Sequence, residues 1–334
     1  MRIAYFDCFA GASGDMILGA LIDSGLTVER LKRELAKLHL SHYDVQAEKV
    51  IKKGLGGSRA IITVDEDHHC HHHRRLHHIE EIIGGSSLDE PVKQKSLDIF
   101  RRLAEAEAKV HRTSIDHIHF HEVGAMDAII DVVGAVAGLA AMEIQRIYCS
   151  PLHVGTGTVK CAHGILPVPA PATAELIKGK PFYSTGVQGE LLTPTGAAIL
   201  TTISCGFGPS PAMTLEQIGY GAGTSEPDIP NLLRVLIGEA QDELKDYEKE
   251  RIAVFEIIAD ENTQAEDYLI DRMLEMGALD VFLSPIRTKK NNHGKVVTIT
   301  CQPHLVERFT GFLLRETAAT GLRWRLDNRI KARA

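Results

Sequence analysis

The sequence has no apolar run near the roughly 20 residues that a membrane-spanning helix needs, so none is expected. It has no CxxC pair: its six cysteines are scattered, which argues against a disulfide framework or a zinc ribbon. It has no basic excess either. With 37 Lys and Arg against 44 Asp and Glu the net charge is −7, which disfavours a nucleic-acid-coating surface or an anionic membrane partner. The first residues, MRIAYFDCFAGASGDM, carry one basic residue and acids at Asp7 and Asp15, unlike a signal peptide. No internal repeat is evident. What is present, 44% hydrophobic and 24% charged residues over 334 positions, suits two globular domains in a reducing cytoplasm.

The hydrophobic pattern predicts an α/β chain, α+β overall. RIAYFDC reads as a strand, FAGASGD as a turn, and DMILGALIDSGL as a helix with Met16, Ile17, Ala20 and Leu21 on one face. A second helix is expected over 28–38, with Leu31, Leu35 and Leu38 on one face. Tyr43, Val45, Val50 and AIITV (60–64) suggest paired strands, 91–112 a long amphipathic helix, and 129–142 a buried one. Residues 150–230, rich in Gly, Pro, Ser and Thr, are expected to be extended and looped.

The acidic stretch 239–250 reads as a linker or exposed helix between residues 1–238, a mixed α/β domain, and 251–334. The later segment gives strand 253–258, helix 265–277 (Leu269, Ile270, Met273 and Leu274 inward), strands 280–286 and 295–301, helix 303–318 and a last strand near 322–327. That order, β-α-β-β-α-β, is ferredoxin-like.

Three constellations can carry chemistry. In FDCFAGASGDM (6–16) an aspartate ends a strand before a glycine turn. Asp7 and Asp15 can hold a hard cation, or Asp15 can simply cap the helix. The P-loop lysine and the dinucleotide fingerprint are missing. In HIHFHEVGAMDAIID (117–131) an extended start would align His117, His119 and His121, followed by Glu122, while Asp127 and Asp131 share a helical face. Acids on so apolar a helix need compensation, from a divalent metal, a phosphate–metal complex, or backbone and Arg or Lys groups. In 151–200, His153 and His163 flank a glycine-rich turn, and Thr193 or Thr195 suits a helix N-cap. GYGAGT (219–224) reads as a flexible glycine run.

HHCHHHRRLHH (68–78) packs seven histidines and one cysteine into eleven positions of the 65–78 loop. An internal position argues against a purification tag. A solvated biased loop and a loose metal reservoir held by His68, His69, His71, His72 and His73 both remain open.

FDCFAGASGDM, HFHEVGAMDAIIDVVGA, PVPAPATAELIKG and ELLTPTGAAIL together resemble the nickel insertion proteins of the lactate racemase system, and GALDVFLSPI and LLRETAATGLR continue the match. The resemblance implies Ni²⁺ insertion into pyridinium-3,5-bisthiocarboxylic acid mononucleotide, forming the nickel-pincer nucleotide handed to lactate racemase apoprotein. CTP and Mg²⁺ or Mn²⁺ are implied as cofactors, and the histidine loop becomes a nickel reservoir. On this basis His119, His121 or Glu122 is the base or transient nickel ligand, and Asp7, Asp15, Asp127 and Asp131 hold the metal. Gly11 and Gly14 lie against the bound phosphate, and Lys289, Lys290 and Arg315 contact the triphosphate. The family's pattern also implies an aspartate where Ala259 stands and further elements after Ala334, so a shortened CTP-binding domain is expected. Homo-oligomerisation is expected from open sheet edges. A non-catalytic nickel carrier and a metal-dependent nucleotide hydrolase are the alternatives.

Overall fold

The computed structural model describes all residues except 65–74, 119, 121–125, 162–163, 241–246, 261–265, 288–292, 317–321 and 333–334. The chain divides into two units, Met1–Gln241 and Asp242–Ala334.

In the first unit, strand β1 (Arg2–Asp7) buries Ile3, Ala4 and Phe6, and helix α1 (Gly14–Asp23) buries Met16, Ile17, Ala20 and Leu21. Helix α2 (Val28–Ala36) starts where the Thr27 hydroxyl accepts the Arg30 amide at 3.2 Å. Strands β2 (Tyr43–Lys52) and β3 (Leu55–Val64) pair antiparallel. Helices α3 (Leu76–Gly84), α4 (Glu90–His111) and α5 (Met126–Ala141) follow, then β4 (Arg146–Cys149). From Ala128 to Leu139 every residue of α5 is buried except Asp131.

The segment rich in Gly and Pro is more regular than its composition suggests. It holds short strands β5 (Leu152–His153), β6 (Gly155–Thr156), β7 (Thr158–Cys161) and β8 (Gly164–Pro167), then helix α6 (Pro171–Leu176). Strands β9 (Phe182–Tyr183) and β10 (Gly189–Glu190) lead into helix α7 (Pro194–Ile203), and β11 (Gly206–Phe207), β12 (Met213–Ala222) and β13 (Leu232–Ala240) complete the unit. Proline at the first turn starts both α6 and α7, because its missing N–H has no helical partner there anyway.

A seven-stranded sheet, ordered β11-β4-β1-β13-β12-β3-β2, organises the unit. β1, β4 and β11 run parallel, while β13 is antiparallel to both β1 and β12. GYGAGT is therefore not a loose run, since most of it lies in β12. A Cβ on Gly221 would sit 1.8 Å from the Met16 carbonyl oxygen, and one on Gly219 2.1 Å from that of Ala20. The glycines let α1 lie directly on the sheet.

Where it is described, the acidic stretch is strand. β13 runs through Glu239 to Ala240, and β14 (Tyr247–Asp260) begins the second unit, with Glu248 and Glu250 opposite Lys331 and Arg329. The Glu250 carboxylate lies 3.6 Å from Arg329 Nη1, and such cross-strand opposite charges offset the low strand propensity of Glu.

The second unit continues with α8 (Glu266–Glu275), β15 (Ala278–Arg287), β16 (His293–Cys301), α9 (Val306–Glu316) and β17 (Arg323–Ala332). Its sheet order is β15-β16-β14-β17, antiparallel throughout. Phe255, Ile299, Phe309 and Leu313 fill its core. On α8 Met273 is buried, as is Met276 just beyond it, whereas Leu274 is 47% exposed rather than inward.

Candidate functional site

The glycine turn after β1 is locked from two sides. The Ala12 amide donates to the Leu191 carbonyl and the Thr193 amide to the Ala12 carbonyl, each at 3.0 Å. Gly11 has φ +82°, and a Cβ on it would lie 2.0 Å from the Leu191 oxygen. From beneath, buried His153 points Nδ1 at the Phe9 carbonyl, 2.7 Å away, and Nε2 at the Thr185 hydroxyl and amide, 3.0 and 3.3 Å away. A carbonyl only accepts, so Nδ1 carries the proton, while Nε2 accepts from the Thr185 amide. His153, stacked on Tyr183 with centroids 4.6 Å apart, therefore positions the turn.

These locks bring three helix N-termini to one cavity of about 600 Å³, lined by Ser13 and Asp15 of the α1 start, Asp127 and Asp131 of α5, and Thr193 and Thr195 of the α7 start. The Thr193 hydroxyl caps α7 by accepting the Gly196 amide at 3.2 Å. Helix N-termini present partial positive charge, which favours carboxylates and phosphates. The cavity thus pairs a field suited to anions with three fixed carboxylates, an arrangement suited to a phosphate–metal complex.

Asp131 is the critical side chain. Its Oδ1 is sealed from solvent and has no hydrogen-bond partner among the described residues. Burial pushes its carboxyl well above the usual range, and the charges of Asp15 and Asp127 push it further. Asp15 is also raised by burial, against the Ser13 hydroxyl that donates to it. Gly14 makes room for the cluster, since a Cβ there would lie 2.3 Å from Asp131 Oδ2.

A divalent cation fits this donor set. Among the described residues no three His, Cys, Asp or Glu side chains form a complete metal site. Mg²⁺ does not need one, because it is commonly held by one or two carboxylates, waters and substrate phosphates. Arg59, on the cavity wall, pairs with Glu48 and helps to restrain the Asp15 shift. Neither Arg59 nor Glu190, which also lines the cavity, stood out in the sequence. The only hint at Arg59 was its place beside the glycines of LGGSRA.

The other expected residues separate. Asp7 does not line this cavity and is bonded by Arg234, whose Nε lies 3.1 Å from Asp7 Oδ2. His117 is not on an extended face, because Ile115–His117 is a 3₁₀ turn in which its Nδ1 lies 2.6 Å from the Ser114 hydroxyl. A serine competing for local hydrogen bonds favours such a turn over a strand. Arg315 is exposed in the last turn of α9, in the second unit. His119, His121, Glu122, His163, Lys289, Lys290 and the tract His68, His69, His71, His72 and His73 lie outside the described residues.

Among the described residues no helix is long and apolar enough to cross a membrane. The sequence model of a family described as nickel insertion protein matches residues 4–334. A pyridinium-3,5-bisthiocarboxylic acid mononucleotide nickel insertion protein of Desulfitobacterium hafniense is 48% identical over 97% of this chain and 81% of its own length. A like-named protein of Acetivibrio thermocellus is 45% identical, again over 97% and 81%. A putative nickel insertion protein of Geotalea daltonii is 46% identical over 97% and 83%. One similar solved structure is the apo C-terminal domain of a cyclometallase involved in the synthesis of the NPN cofactor of lactate racemase. It is 25% identical, covers 25% of this chain and 58% of that one, and its TM-score of 0.24 carries no argument about the fold. On the full-length family match and these relatives, the chain belongs to the nickel insertion protein family.

Proposed function

We propose that the chain inserts Ni(II) into pyridinium-3,5-bisthiocarboxylic acid mononucleotide to give the nickel-pincer nucleotide, using CTP, for delivery to lactate racemase apoprotein. The relatives named for that substrate support the reading. The observation that carries it is the Asp131 oxygen, without a hydrogen-bond partner among the described residues, beside Asp15 and Asp127, where three helices begin.

Asp15, Asp127 and Asp131 would hold Mg²⁺ or Mn²⁺, which would supply positive charge to offset that of the substrate phosphate. The amide-rich starts of α1 and α7 orient the substrate phosphate, and Thr193 and Thr195 supply hydroxyls. Soft thiocarboxylate sulfurs suit nickel. Forming the nickel–carbon bond leaves the electron pair of the ring C–H bond on carbon and releases a proton, for which His119, His121 and Glu122 are the candidate acceptors. CTP binding falls to the second unit, a β-α-β-β-α-β arrangement, through Lys289, Lys290 and Arg315.

The test is reconstitution. Purified chain, Ni²⁺, CTP, Mg²⁺ and the thiocarboxylated mononucleotide are mixed and assayed for activation of nickel-free lactate racemase. Activation that disappears without CTP is the expected result, and none under any condition sinks the proposal. The histidine tract favours a second reading, a nickel carrier. That reading predicts several exchangeable nickel ions per chain, lost on deleting 68–73, with no CTP consumed.

A further inference from the structure

A second cavity of about 330 Å³ adjoins the carboxylate cavity, the two sharing Glu190 and Pro194 in their walls. It is formed by the end of α4, the start of α6 and the β7–β8 hairpin, and its character differs from its neighbour's. Val110, Val159, Leu166 and Pro171 supply apolar surface, with Glu107 and His111 from α4 and Lys160 and the Cys161 thiol at the hairpin. Val159 and Leu166 face each other across the hairpin.

We propose that this apolar chamber receives the flat pyridinium ring and thiocarboxylates of the mononucleotide, while the phosphoribosyl end occupies the carboxylate cavity. This rests on the nickel-insertion reading above. Three observations argue for the orientation. The chamber's size fits: a cavity of about 150 Å³ takes benzene, so about 330 Å³ has room for one ring with two substituents. The charges fit as well. The positive ring nitrogen is the atom joined to ribose, and the shared wall between the chambers carries the Glu190 carboxylate. Lys160, in the same chamber wall, offers a cation to the anionic thiocarboxylates. Finally, the phosphate falls where helices α1 and α7 begin. The chamber would thus set which ring substituents are accepted, and the carboxylate cavity would recognise any phosphoribosyl group.

The experiment fills the chamber with Val159→Trp in the full chain. Calorimetry measures Mn²⁺ alone, the bisthiocarboxylated mononucleotide with Mn²⁺, and ribose 5-phosphate with Mn²⁺ by competition. The expected result is a mononucleotide Kd raised at least tenfold, with Mn²⁺ and ribose 5-phosphate affinities within twofold of wild type. A mononucleotide Kd within twofold of wild type in a variant that still binds Mn²⁺ overturns the chamber and leaves the insertion reading standing. Should Val159→Trp lose Mn²⁺ through misfolding, Lys160→Glu takes its place: this exposed substitution should weaken the mononucleotide severalfold and spare ribose 5-phosphate, and equal binding overturns the proposal. A wild-type chain that binds Mn²⁺ but no mononucleotide overturns the insertion reading, and the chamber with it.

Discussion

Replacing Asp131 by Asn keeps the side chain's size, so it still fits against Gly14, but removes a charge on a carboxylate whose Oδ1 has no hydrogen-bond partner among the described residues. A buried group in that state costs about 1–3 kcal/mol, and a charged one more. The sign follows from the raised carboxyl. In the metal-free protein the folded state holds this proton more tightly than the unfolded state does. Stability is therefore highest below the ordinary aspartate pKa and falls as pH rises through the raised folded value. In EDTA at pH 8, Asp131→Asn should be more stable than wild type by about 1–3 kcal/mol. At about 2–4 °C per kcal/mol for a unit of this size, the melting temperature should rise by roughly 2–12 °C. At low pH the gap should close. Mn²⁺ at about a thousand times its Kd should invert the order, because it adds about 4.1 kcal/mol to a folded state that binds it. Calorimetric melts at pH 5 and pH 8, each with EDTA or Mn²⁺, make the test. A variant less stable than wild type in EDTA at pH 8 would refute the reasoning, since Asp131 would then have an internal partner.

Gly14→Ala should destabilise by about 1–3 kcal/mol through overpacking and abolish Mn²⁺ binding, whereas Gly84→Ala, with open space at its Cβ, should do neither; melts with and without Mn²⁺ distinguish them. Tyr5 is pushed up to about 12 by burial and then by the Asp7 charge, so wild-type stability should fall between pH 10 and 12 as the unfolded tyrosine ionises first. Tyr5→Phe should flatten that fall, while costing about 0.5–1.5 kcal/mol at pH 7 for the lost hydrogen bond to the Gly208 carbonyl. Buried Cys149, its thiol raised by the Cys8 hydrogen bond and by burial, should resist iodoacetamide at pH 8 when native, and exposed Cys205 should react; peptide mass mapping reads both.

Long periodic segments were legible: α1, α4, α5 and the strand and helix order of the second unit follow the hydrophobic spacing. The 213–222 strand was not, because Gly219 and Gly221 read as flexibility when their purpose is to admit the α1 backbone, a tertiary demand. The start of β14 was hidden for a related reason, since Glu250 is matched by Arg329 and Lys331, distant in sequence. At the site, the Asp127–Asp131 pair was visible from its spacing. Its convergence with Asp15 was implied only by the family resemblance, and the diversion of Asp7 to Arg234, which comes from the antiparallel neighbour β13, was not legible. Spacing finds partners on one helix, whereas sheet register decides the others.

The carboxylate cavity draws on residues 13–15, 59–62, 127–131, 190–195 and Thr224. No short piece of chain contains it, so it must close late in folding, after distant segments have met. Binding there and the integrity of the whole first unit are linked: a destabilising change in any strand of the large sheet should weaken cation affinity, and cation should protect every strand from unfolding. A ribosome-bound chain that has not yet exposed residue 195 cannot have this cavity, although its histidine tract has already been made and can meet nickel. The tract therefore emerges before the cavity can exist in each newly made molecule.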